Sequence, residues 1–175
     1  MLRYLLVLAL AGFSWSQSHA DTFRFGAWGD MPYAKNGDMA KMPALIHSLN
    51  QADIAFSLYD GDIKDGSSEC HTASFDQAEA LFKQLRQPVV YIPGDNEWTD
   101  CHRLNNGGYN NLERLAYLRQ RFFAKPESQG QKHLSFTQQG QAGGEYAENL
   151  RFSYKGVVFV GLNVPGSNNN KVQDD

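Results

Sequence analysis

Only two of the 175 residues are cysteine, Cys70 and Cys101, and they stand in no CxxC or other zinc-ligand spacing, so a cysteine-built metal module is excluded. Positive charge is short as well. Sixteen Lys and Arg against nineteen Asp and Glu leave a formal charge of −3, which argues against a binder of nucleic-acid backbones, and no nucleic-acid groove is expected. Beyond the N-terminus no apolar run is long enough to cross a membrane. A G-x-S-x-G nucleophile elbow is missing, and neither cysteine sits near a plausible catalytic base outside a disulfide. The first turn reads Gly26-Ala27-Trp28-Gly29-Asp30 and lacks the G-x-G-x-x-G fingerprint of a dinucleotide site. No internal repeat is visible. With 42% hydrophobic and 13% aromatic residues the chain is nevertheless rich enough to build a core.

What is present begins with an export signal. Arg3 precedes an apolar run from Tyr4 to Phe13 and a small-residue cleavage pattern at Ser18-His19-Ala20, the order of a secretory signal peptide. Residues 1–20 are therefore expected to be removed, leaving residues 21–175 as one domain without a membrane span, exported to the periplasm or the cell exterior. Export places the two cysteines where disulfides persist, so a Cys70–Cys101 bridge is expected.

From Asp21 onward, short apolar runs alternate with stretches of helical period, an α/β chain of the order β-α-β-α-β. Strands are expected at Thr22 to Trp28, Ile54 to Tyr59 and Pro88 to Ile92. Between them, Met42, Leu45, Ile46 and Leu49 mark one buried helix face, and Phe75, Ala78, Leu81, Phe82 and Leu85 another. A third helix carries Leu112, Leu115, Leu118 and Phe122. Helical crossovers make such strands parallel and cover both faces of the sheet. The Gln/Gly/Ser-rich stretch from Pro126 to Gly144 reads as a long surface loop. After it, Glu145 to Tyr154 alternates, Lys155-Gly156 turns the chain, and Val157 to Leu162 reads as a buried strand before a polar tail.

Each of the first three strands runs into Gly-Asp: Gly29-Asp30, Gly61-Asp62 and Gly94-Asp95. One copy is ordinary turn material. Three copies on parallel strands carry more weight, because ligands of open parallel sheets bind outside the carboxyl ends of the strands. Three carboxylates gathered there repel one another without a cation, so the pattern predicts a divalent metal centre held by Asp30, Asp62 and Asp95.

At these residues the chain resembles the calcineurin-like metallophosphoesterase superfamily, which includes the purple acid phosphatases. That family runs D-x-H, G-D-x-x-D and G-N-H-E/D after successive parallel strands. Here the second block is intact as Gly61-Asp62-Ile63-Lys64-Asp65, the first reads Asp30-Met31-Pro32, and the third reads Gly94-Asp95-Asn96-Glu97-Trp98. The resemblance implies a layered sheet with helices on both faces, and two divalent ions (Mn, Fe, Zn or Mg) bridged by Asp62. It also implies hydrolysis of a small phosphoester by a hydroxide formed at those ions. Asn96 stands where the family carries the histidine proposed as general acid, and Asp95 where it carries a ligand asparagine.

The family continues with strands that bear further histidine ligands, commonly G-H-x-H, and none follows here. The expectation is a chain truncated at its C-terminal half, either a fragment of an enzyme or a non-catalytic exported metal-binding protein of the same fold. His71 and His102 each follow a cysteine of the expected bridge, which would gather both imidazoles beside the strand ends. His102 is the candidate acid or extra ligand. His47 and His133 read as surface residues. Tyr33 and Trp98, which flank two of the blocks, read either as substrate-pocket lining or as packing.

Overall fold

The computed structural model describes residues 21–169; the expected signal peptide and the last six residues lie outside them. Three short strands, β1 (Gly26–Trp28), β2 (Ser57–Tyr59) and β3 (Val89–Tyr91), form a parallel sheet in the order β1-β2-β3. Helix α1 (Met42–Gln51) follows β1, α2 (Thr72–Phe82) follows β2 and α3 (Asn111–Phe122) follows β3. A second, antiparallel sheet is built in the order β4 (Thr137–Gln138), β5 (Leu150–Tyr154), β6 (Val157–Gly161), and a short α4 (Gly166–Asn169) comes after it. The chain is thus a mixed α/β fold with the β-α-β-α-β order expected. Its strands are shorter than the apolar runs, because Thr22 to Phe25 and Ile54 to Phe56 lie outside the ladder.

Local signals account for the helices. In α3 the Asn110 side chain accepts from the Glu113 N–H at 3.0 Å, satisfying a donor that the first turn leaves open. Glu113 sits in that first turn and Arg119 and Arg121 in the last, the charge order that complements the helix dipole. The predicted faces are largely those buried: Met42 and Ile46 of α1; Phe75, Ala78, Leu81 and Phe82 of α2, with Leu85 beyond it; and Leu115, Leu118 and Phe122 of α3. Leu112 is the exception, exposed on the first turn of α3.

Two aromatic clusters bind the layers. Phe56, fully buried, meets Phe25, Phe152, Tyr154 and Phe159 at ring separations of 5.1–5.6 Å, so the second sheet is joined to the start of β2 through one ring. Nearer the other end, Tyr59, Phe82, Tyr91 and Phe122 pack on one another at 5.0–6.2 Å.

Two expectations are corrected. Residues 126–144 are no simple surface loop: Ser128 and Phe136 are buried, Gln129 forms a backbone bridge to Val89, and residues 137–138 pair with β5. Nor is Val157 to Leu162 buried. Val157, Val158, Val160 and Leu162 are exposed by 46–63%, because no element covers the face of β6 that carries Val158 and Val160, and only Phe159 and Gly161 are partly buried. An apolar run carries no information about which of its faces is covered.

Candidate metal centre

The parallel register levels Trp28, Tyr59 and Tyr91 in one row, and Asp30, Asp62 and Asp95 stand two, three and four residues beyond it. Their loops converge closely. A Cβ on Gly61 would lie 2.1 Å from the Gly94 nitrogen, and one on Gly94 would lie 2.1 Å from Asp62 Oδ1, so glycine is required at both positions. Asp30 (φ 53°) and Asp62 (φ 58°) are both left-handed, a conformation that costs a non-glycine residue energy and is concentrated at functional turns.

Asp30 and Asp62 are drawn to a single hydroxyl. Tyr33 Oη lies 3.0 Å from Asp30 Oδ1 and 3.0 Å from Asp62 Oδ2. Asn96, buried, donates through Nδ2 to Asp62 Oδ2 at 2.8 Å and through its backbone N–H to Asp62 Oδ1 at 3.3 Å. Its Nδ2 also reaches the Lys64 carbonyl at 3.1 Å. Asn96 therefore fixes the orientation of Asp62. Beneath this layer Glu97 is fully buried and ties the loops together, accepting from the Gly94 N–H at 2.9 Å, the Tyr91 hydroxyl at 2.7 Å and the Asp62 N–H at 3.2 Å.

Concentrated negative charge in a half-closed site shifts its acids. Burial, reinforced by the charges of Asp95 and Asp30, raises the Asp62 carboxyl to about 6 against hydrogen bonds from Asn96 and Tyr33. Burial and the neighbouring Asp62 raise Glu97 to about 7. Burial, then Asp62, drives the Tyr33 phenol far above its ordinary value. Asp65 goes the other way: hydrogen bonds from Ser67 and Ser68 and the charge of Lys35 outweigh its burial and bring it to about 2. Lys64 is buried; its ammonium group donates to the Asp65 carbonyl at 3.2 Å.

Asp95 is set apart. It shares no hydrogen bond with Asp30 or Asp62, and its Oδ2 faces Gly166, where an added Cβ would meet it at 2.5 Å. Among the described residues no group of three or more His, Cys, Asp or Glu is close enough to hold a metal ion. Tyrosine is outside that count. Asp30, Asp62 and the Tyr33 hydroxyl form a three-oxygen group of the kind that suits a hard cation.

The expected bridge is present: Cys70 and Cys101 are joined, with Cα atoms 5.7 Å apart, and tie the loop after β2 to the turn Thr99–His102 after β3. The two histidines stay at the surface. Nδ1 of His102 donates to the Thr99 carbonyl at 2.7 Å, and His71 pairs with Ser74; neither bonds to an aspartate of the cluster. His71 does line an open cavity of about 320 Å³ beside the site, with Pro32, Ile63, Lys64, Asp65 and Ser68. Trp98 is 4% exposed and its indole N–H has no partner, so it packs rather than lining that cavity. The sequence pattern did not mark Tyr33 as the group between the carboxylates, nor Glu97 as their anchor. The one available signal was an acid in the third block directly after an apolar strand. Comparison of the chain with models of protein families, with curated proteins and with solved structures gives no match.

Proposed function

We propose that this chain hydrolyses small phosphoesters, using divalent metal ions held at the carboxyl ends of β1, β2 and β3, on a sheet layered as in the metallophosphoesterases that its three blocks resemble. One observation supports this above all. Two aspartates that follow adjacent parallel strands, both in strained left-handed turns, point their carboxylates at one spot, and among the described residues no cationic side chain is paired to either. The buried Cys70–Cys101 bridge supports export to an oxidising compartment.

In this reading Asp30, Asp62 and Asp95 hold the ions. When bound, such ions lower the pKa of water and neutralise charge that grows on the phosphoryl oxygens. Asn96 keeps Asp62 oriented, and as an amide it donates hydrogen bonds without serving as an acid. Glu97 clamps the loops so that the carboxylates need not reorganise when substrate arrives. His102, whose Nδ1–H donates to the Thr99 carbonyl, would have to be the imidazolium to give its Nε2 proton to the departing alkoxide.

A second reading, a metal-binding protein without turnover, is favoured by the separation of Asp95 from the other two aspartates and by the surface position of His102. The experiment that separates them is a chromogenic assay on phosphate mono- and diesters with added manganese, run beside elemental analysis. Turnover that depends on manganese and disappears with a chelator supports hydrolysis. Bound manganese without turnover supports the second reading.

A further inference from the structure

Tyr33 holds an arrangement that a phenol cannot satisfy alone. Its hydroxyl has one proton, yet two carboxylate oxygens from different strands sit 3.0 Å from the same oxygen atom, so only one can accept at a time. Asn96 Nδ2 supplies a further donor at 3.4 Å from the hydroxyl, and it already serves Asp62 Oδ2 at 2.8 Å. Among the described residues no lysine pairs with either carboxylate: Lys35 and Lys41 form their ion pairs with Asp65 and Asp38, and Lys64 donates to a backbone carbonyl. The loop itself is braced to aim the ring, because the Tyr33 N–H donates to Asp38 Oδ2 at 3.0 Å. Two carboxylate oxygens and a phenol oxygen thus converge, sharing only the phenol proton and the Asn96 amide N–H.

We propose that Tyr33 Oη is itself a metal ligand, completing with Asp30 and Asp62 an all-oxygen face for a hard divalent cation such as manganese or magnesium. The cation takes the place of the phenol proton, which passes to solvent as the metal–oxygen bond forms. A cation bound there would be held by these three oxygens, a donor set that suits hard cations. The phenol supplies an oxygen close to the first block, where Pro32 stands in place of a histidine. This inference rests on the reading that Asp30 and Asp62 hold a cation, but it requires no turnover.

The test uses metal-stripped protein and manganese chloride. Calorimetric titration of the parent, Y33F and D30N is run beside a near-ultraviolet difference spectrum on adding manganese. The expected result is a tyrosine difference signal in the parent, with manganese affinity lowered about tenfold or more in both variants, the range over which loss of a supporting group typically acts. A Y33F protein that binds manganese as tightly as the parent, while D30N does not, would overturn the ligand role and leave the metal reading intact. Should Y33F fail to fold, the parent spectrum decides: manganese binding with no tyrosine signal rejects the proposal. No binding by the parent rejects it together with the metal reading.

Discussion

The two ends of this molecule solve opposite problems. At the carboxyl ends of β1–β3 the chain gathers polar groups and strain: left-handed Asp30 and Asp62, a fully buried Glu97, and glycines that let two loops touch. The buried side chains of Glu97 and Asn96 find partners there, as a low-dielectric site demands, while the neighbouring Trp98 N–H has none. In the β4–β6 sheet the strands pair in regular register and the outer face is the anomaly, with Val158 and Val160 exposed beside Arg151. One region places its left-handed aspartates within a hydrogen-bonded polar cluster; the other confines its left-handed residues, Tyr146 and Lys155, to turns and leaves apolar surface in water. Strain without evident structural benefit is the pattern expected where chemistry is done.

The sharpest way to break the comparison is at Phe56, the most deeply buried of the rings that join the two sheets. Phe56→Ala removes a fully buried ring that meets five aromatic neighbours and should destabilise the fold by about 3–5 kcal/mol. Urea unfolding measures this. A loss under about 1 kcal/mol would mean that the second sheet is not held through Phe56.

A smaller effect concerns pH. In the folded protein Asp62 titrates near 6 and Glu97 near 7, both above their ordinary values. A folded state that binds protons more tightly than the unfolded one gains stability below about pH 4 and loses it as pH rises through the folded values. Without metal, the thermal midpoint should therefore fall between pH 5 and 8, a window set by those two groups. Manganese should flatten that fall, because a cation favours the ionised carboxylates. A midpoint that rises across the same window without metal would contradict the assigned shifts.

The smallest effect is expected on the valine face. Val158→Lys and Val160→Lys place charge on an exposed terminal strand and should change stability by no more than about 0.5 kcal/mol, while lowering any tendency to associate through that edge. Unfolding together with light scattering checks both. A loss above about 2 kcal/mol would show that the face is covered in solution.

How far these contrasts were legible in the sequence depended on whether local rules decided them. The three Gly-Asp turns, the faces of α1, α2 and most of α3, and the Cys70–Cys101 bridge follow from spacing, periodicity and compartment, and the structure has them. Coverage is not local. Val157 to Leu162 is as apolar as β3, and both strands end their sheets, but β3 is covered by Phe122 and Phe123 and bridged by Gln129 while β6 leaves Val158 and Val160 open to water. Residues 126–144 have the composition of a loop, yet Phe136 and the Gln129 backbone bridge pin them to the body. Tyr33 was readable only as an aromatic near Asp30, since the path of the loop to Asp38 decides where its hydroxyl points. The stagger of the three aspartates likewise comes from strand register, which a motif does not encode.

The central claim is that the strand-end carboxylates hold divalent metal for phosphoester hydrolysis, and Asp62 lies at its middle, touching Tyr33 and Asn96 and feeling both Asp30 and Asp95. The most direct measurement is manganese content per folded molecule, by elemental analysis, for the parent and Asp62→Asn, with phosphoesterase activity recorded on the same samples. The amide removes the negative charge but keeps the size of the side chain, so bound manganese and activity should fall together, activity by about a hundredfold or more if Asp62 acts on the metal directly. Equal manganese in the two proteins would contradict the account.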